Sequence, residues 1–83
     1  MIDEILMQQL EDNECLLSSG YDSALIGITE GPNPVAVYDT DLCIKCLMEE
    51  DDMSEEDAVE FFYYNTVGSF VGEKTPIYIR RYE

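Results

Sequence analysis

Cys43 and Cys46 stand three positions apart in Cys43-Ile44-Lys45-Cys46, a spacing that serves two chemistries. A C-x-x-C can be a dithiol redox pair, which works at a helix start where the thiolate is stabilised, or half of a zinc site, which needs two further ligands. The chain has no His, and Cys15 is its only other thiol. The pair falls inside a predicted helix, on its apolar side, so core packing is the expected role, with zinc and redox as the alternatives. Asp39-Thr40-Asp41 and the acidic run 49–52 offer hard oxygen ligands for Ca²⁺ or Mg²⁺. No stretch has the Gly-centred spacing of an EF-hand loop, so weak, non-specific cation association is expected and no dedicated metal site. Without His, a Ser–His or Cys–His nucleophile is excluded. Gly68-Ser69-Phe70-Val71-Gly72 lacks the Lys of a phosphate loop, and its glycines read as helix-end and turn residues. Neither an enzyme nor a bound cofactor is expected.

Carboxylates dominate what remains. Eight of the twelve residues 49–60 are acidic: Glu49, Glu50, Asp51, Asp52, Glu55, Glu56, Asp57 and Glu60. The chain carries 19 Asp and Glu against 4 Lys and Arg, a net charge of −15 at pH 7. That imbalance repels nucleic acid and anionic lipid and attracts basic protein surfaces, above all those built to hold nucleic acid. The eight acids are therefore the candidate partner-binding residues. Glu56 and Glu60, about 6 Å apart along a helix axis, are candidates to stand in for backbone phosphates. The alternative is a solvated face that keeps a small protein dispersed. Tyr38, Tyr63, Tyr64, Tyr78 and Tyr82 could stack bases, but such sites sit in basic grooves that this chain lacks, so core or protein-interface roles are expected.

These groups must be held by elements that the hydropathy pattern outlines. Ile2, Ile5, Leu6 and Leu10 predict a helix over residues 2–11, with Asp3 and Glu4 at its positive end; Cys15, Leu16 and Leu17 extend it or begin a connection. Ser18-Ser19-Gly20 is a turn. Residues 21–29 predict a strand with Ala24, Ile26 and Ile28 on one face and Leu25, Gly27 and Thr29 on the other. Gly31-Pro32-Asn33-Pro34 is turn-forming, and residues 35–38 give a second strand that must close an antiparallel hairpin. Asp39-Thr40-Asp41 offers cap chemistry for a helix of about two turns with Leu42, Cys43, Cys46 and Leu47 on one stripe, broken by the acids at 49–52. Ser54, with Asp57 three residues on, starts another helix, and Glu55, Glu56 and Asp57 suit its first turn. Ala58, Phe61, Phe62 and Asn65 share one face of it, and Val59, Tyr63 and Val67 another, so it is expected to be the central packing element. Residues 73–76 form a loop, and Ile77 and Ile79 mark one face of a last strand.

The predicted fold is α+β: one domain over residues 1–83, with a small three-stranded, mainly antiparallel sheet packed against about three helices. Disorder is the competing outcome for a chain so charged, but 46 % apolar and 11 % aromatic residues suffice for a core. Met1-Ile2-Asp3-Glu4 lacks the basic and apolar regions of a signal peptide, no apolar run approaches a membrane span, and a reducing cytoplasm is the expected location.

Residues 53–79, MSEEDAVEFFYYNTVGSFVGEKTPIYI, resemble small acidic uncharacterised proteins of tailed phages and prophages. Those share an acidic helix start, an aromatic run, an N-x-x-G step, and V-G-E and T-P-I before a final strand. Ala36-Val37-Tyr38-Asp39 leading into a helix fits the same pattern, so residues 35–79 are covered. The resemblance implies a phage or prophage origin and assigns no activity, cofactor or site residue. Two functions are expected from the whole. One is a phage-type inhibitor of a basic, nucleic-acid-handling host protein such as a CRISPR effector, a restriction enzyme or a polymerase, acting as a nucleic-acid mimic or anti-defence protein. The other is a non-enzymatic structural or regulatory homo-oligomer joined through residues 61–64 or 77–79.

Overall fold

The computed structural model describes residues 4–68 and 71–82. The expectations for Ile2 and Asp3 at the first helix start, and for Ser69 and Phe70 in the glycine segment, lie outside the described residues.

Helix α1 spans Glu4–Asp12. Leu6, Met7 and Leu10 turn to the core, while Ile5, expected on the same stripe, is exposed. The helix stops before Cys15. Glu14 adopts a left-handed φ of 54°, its N–H bonds Glu11 O, and the Cys15 N–H bonds Leu10 O at 2.9 Å. That pair of reversed bonds satisfies the last carbonyls and turns the chain away.

The predicted strand 21–29 is shorter than expected. Asp22–Ala24 forms a 3₁₀ turn, closed by the Ala24 N–H on Tyr21 O, and β1 is only Leu25–Ile28. Asp and Ser favour such turns through local side-chain bonding. β2 spans Ala36–Asp39 and pairs antiparallel with β1, as the hairpin requires. The register shifts between Leu25 and Gly27, so Ile26 is an extra residue in β1. A one-residue insertion exchanges faces. Leu25 and Ile28, predicted on opposite faces, therefore both pack on the core beside Tyr38 and Ala36. Thr29 and Val35 close the hairpin: the Thr29 N–H bonds Val35 O, and the Val35 N–H bonds Thr29 Oγ1 at 2.9 Å.

α2 spans Thr40–Glu50, α3 spans Glu55–Phe61, and a π-helical segment, Phe62–Val67, continues α3. β3, Ile77–Ile79, then joins β2 in parallel, with Val37 opposite Ile77 and Tyr38 opposite Tyr78. The order is β1-β2-β3. Among the described residues the fold is α+β, with three α-helices and three strands, and its sheet is mixed. The two helices between β2 and β3 form a crossover long enough to bring the chain back in the same direction.

α2 supplies five buried residues: Thr40, Cys43, Ile44, Cys46 and Leu47. α3 and the π segment supply three, Ala58, Phe62 and Thr66, in a single four-residue row. The expectation that α3 is the central packing element is thus corrected: α2 supplies more of the core than any other element, and Phe61, Tyr63 and Val67 lie exposed. Phe62 is the exception on α3. Its ring meets Tyr21 edge-on at 6.1 Å and Tyr78 at 5.3 Å, geometries that aromatic quadrupoles favour.

The acidic corner and its aromatic groove

The eight candidate acids fall where α2 hands over to α3. α2 does not break at Glu49. It runs through Glu50, and the Asp51 N–H bonds Leu47 O at 3.1 Å as the cap. Asp52 turns the chain with a left-handed φ of 56°, and half-buried Met53 anchors the corner against the core. Ser54 then caps α3, its Oγ accepting from the Asp57 N–H at 3.2 Å. Glu55, Glu56 and Asp57 occupy the first turn, where the helix dipole favours them, as expected. Glu49 and Glu50 occupy the last turn of α2, which holds no basic residue, so the same dipole opposes them.

All eight side chains are exposed. Among the described residues the one ion pair is Arg81 with Asp39, and none of the eight acids takes part in it. They do not form a single straight row. Glu49 and Glu50 border a hollow with Asp22, Ser23 and Lys45. Glu55 borders a second with Asp41, Lys45 and Arg80. Asp57 and Glu60 rim a third, an open groove of about 510 Å³ whose other walls are Met53, Phe61, Tyr64 and Asn65. The charge therefore wraps the corner.

Sequence reasoning placed the acids of that groove and named residues 61–64 as an interface, but it did not bring the two together. Ala58, Phe61, Phe62 and Asn65 were expected to share one face, of which only Ala58 and Phe62 are buried. Phe61 is 39 % and Tyr64 is 82 % exposed. The π segment sets this arrangement, and the Asn65 amide Nδ2 donates to the Phe61 carbonyl at 3.3 Å. A signal was present: four consecutive aromatics, residues 61–64, exceed what one helical face can bury.

The other candidate groups are held in structural roles. Cys43 is wholly buried and Cys46 nearly so, in the core, as the packing reading expects. Burial, with Cys46 and Asp39 nearby, pushes the Cys43 thiol up to about 12. A thiol protonated at neutral pH is a poor nucleophile. Cys15, half-buried, donates to the Pro34 carbonyl at 3.3 Å. Among the described residues no group of three or more His, Cys, Asp and Glu is placed to hold a metal ion. Both Asp39 oxygens are engaged: Oδ1 accepts from the Leu42 N–H at 2.9 Å, and Oδ2 from Arg81 Nε at 2.5 Å. Burial works against that carboxylate, but these donors outweigh it and hold Asp39 below its ordinary value.

The tyrosines divide. Tyr38 and Tyr78 stack obliquely, 5.7 Å between ring centres, and both bond to Ser18, whose N–H donates to Tyr38 Oη at 2.8 Å and whose hydroxyl meets Tyr78 Oη. Tyr63 carries the Arg80 guanidinium, which bonds its hydroxyl and lies 5.9 Å from its ring centre. Tyr64 and Tyr82 face solvent.

The chain matches no protein-family model, and no curated protein or solved structure matches it. Among the described residues no helix is long and apolar enough to cross a membrane.

Proposed function

We propose that this chain is a non-enzymatic, phage-type acidic protein that binds and blocks a basic, nucleic-acid-handling host protein in the bacterial cytoplasm, as a nucleic-acid mimic or anti-defence inhibitor. The observation that carries this reading is the corner of eight exposed carboxylates, none of them in an ion pair among the described residues. Such a surface keeps its full field for a partner, speeds encounter with a basic surface, and repels nucleic acid itself. The test is an affinity pull-down from a bacterial host lysate at about 50 mM and about 500 mM salt, a range across which screening of exposed charge changes strongly. A basic nucleic-acid-handling protein held at low salt and released at high salt supports the reading, and recovery of its activity on adding salt establishes blocking. Capture that is indifferent to salt, or to neutralising Glu49, Glu50, Glu56 and Glu60, refutes the acidic corner as the contact.

One observation favours a homo-oligomer as the second reading. Among the described residues β3 pairs only with β2 and exposes Ile77 and Ile79, so it offers a β-branched edge to a second copy. Light scattering tests it: a dimer strengthened by salt, which screens the mutual repulsion of two −15 chains, supports this reading.

A further inference from the structure

We infer that the groove beside the π segment receives an arginine side chain of the partner, an inference that rests on the acidic corner being a protein-binding surface. The groove joins an exposed aromatic wall, Phe61 and Tyr64, to the carboxylates of Asp57 and Glu60. Asn65 donates one of its two amide hydrogens to the Phe61 carbonyl and keeps its side-chain oxygen as an acceptor. The charged groups around the groove, Asp57 and Glu60, are acceptors only, and the aromatic rings beside them present flat faces. The complementary ligand carries many donors, no acceptor, a positive charge and planar faces. A guanidinium has all four properties; an ammonium is a compact, strongly hydrated point charge without faces. The chain already makes this pairing once, where Arg80 lies over the neighbouring Tyr63 and bonds its hydroxyl. A π-helical turn costs regular hydrogen bonding and recurs at functional sites, and here it sets the exposed ring against the carboxylates.

The test titrates the full ¹⁵N-labelled chain with nona-arginine and with nona-lysine at physiological ionic strength. Nona-arginine is expected to bind about fivefold tighter, a difference of the size of one exposed cation–π contact. It should also shift the Asn65 side-chain amide and the Tyr64 backbone amide. Tyr64→Ala, a change at an exposed ring, and Glu60→Gln should each remove the preference, while Glu50→Gln, outside the groove, should lower both affinities alike. Equal binding of the two peptides, with Tyr64→Ala without effect, overturns the groove and leaves the acidic corner as a diffuse contact. Binding of neither peptide overturns the corner reading along with the groove. A Tyr64→Ala variant that alters only self-association assigns the groove to a second copy and overturns the arginine.

Discussion

Arg81 places its Nε 2.5 Å from Oδ2 of Asp39, so the segment after β3 is tied to the residue that caps α2. Asp39 thus serves two ends of the fold at once. Its carboxyl is buried, while the Arg81 side chain is 58 % exposed.

That geometry sets an acid limit on stability. Asp39 titrates at 3.8 in the ordinary case and lower in the folded chain. A depressed carboxyl contributes stability that is complete above the unfolded value and lost as pH falls through the folded one. Asp39→Asn retains a capping oxygen but loses the charge. It should cost about 1–2 kcal/mol at neutral pH and flatten the decline in stability below about pH 4. Urea unfolding across pH 2–7 reads both, and an unchanged acid branch counts against Asp39 as its source.

Alkali should act on the core itself. The Cys43 thiol ionises at 9.0 in the ordinary case and at about 12 when buried. Tyr21, Tyr38 and Tyr78 are raised too, each chiefly by burial. An acid with a raised value stabilises the fold below its unfolded value, and that contribution fades as pH climbs toward the folded one. Stability should therefore fall from about pH 9 upward. Thiol labelling of the native chain at pH 8 should modify Cys15 and spare Cys43 until denaturant is added. Rapid native labelling of Cys43 contradicts its enclosure.

Phe61 and Phe62 are neighbours with opposite burdens. Phe62 is wholly buried between Tyr21 and Tyr78, and Phe61 is a groove wall. Phe62→Ala should cost about 3–5 kcal/mol. A chain this long has about 4–12 kcal/mol in total, so that variant stands at the margin of folding. Phe61→Ala should cost under about 1.5 kcal/mol. Equal losses in denaturant titrations would mean that the two faces are wrongly assigned.

Glu49 and Glu50 oppose the α2 dipole, and they stand in a surface of like charge. Glu49→Gln with Glu50→Gln should raise the melting temperature by a few degrees at low salt and less at high salt. The same pair should slow association with a basic partner. Calorimetry and stopped-flow binding separate the effects, and a variant that gains stability without losing on-rate removes these two acids from the contact.

What the sequence disclosed was chemistry confined to a few neighbouring residues. Asp39 and Ser54 could be recognised as caps because each bonds an N–H three positions on. The hairpin was legible because the Gly and Pro cluster between two β-branched runs leaves few other shapes. The faces of β1 were not legible, since one extra residue, Ile26, reverses alternation and leaves no mark in composition. The parallel docking of β3 depends on how the intervening helices pack, which no local pattern contains. The groove was legible only in part. Residues 61–64 read as an aromatic interface, but their place beside Asp57 and Glu60 depends on Ala58, Phe62 and Thr66 being the row that is buried.

The pairing of Val37 with Ile77 joins residues forty positions apart, by subtraction of their numbers. Its loop-closure entropy must be met before the third strand contributes anything, whereas the β1–β2 hairpin and the α2–α3 corner form from nearby residues. The hairpin and the acidic corner are therefore expected to form before the third strand docks, so that the charge-bearing surface precedes the completed sheet. Pulse-labelled hydrogen exchange during refolding should find the β1–β2 amides protected before those of β3, and simultaneous protection would show a sheet that closes in one step.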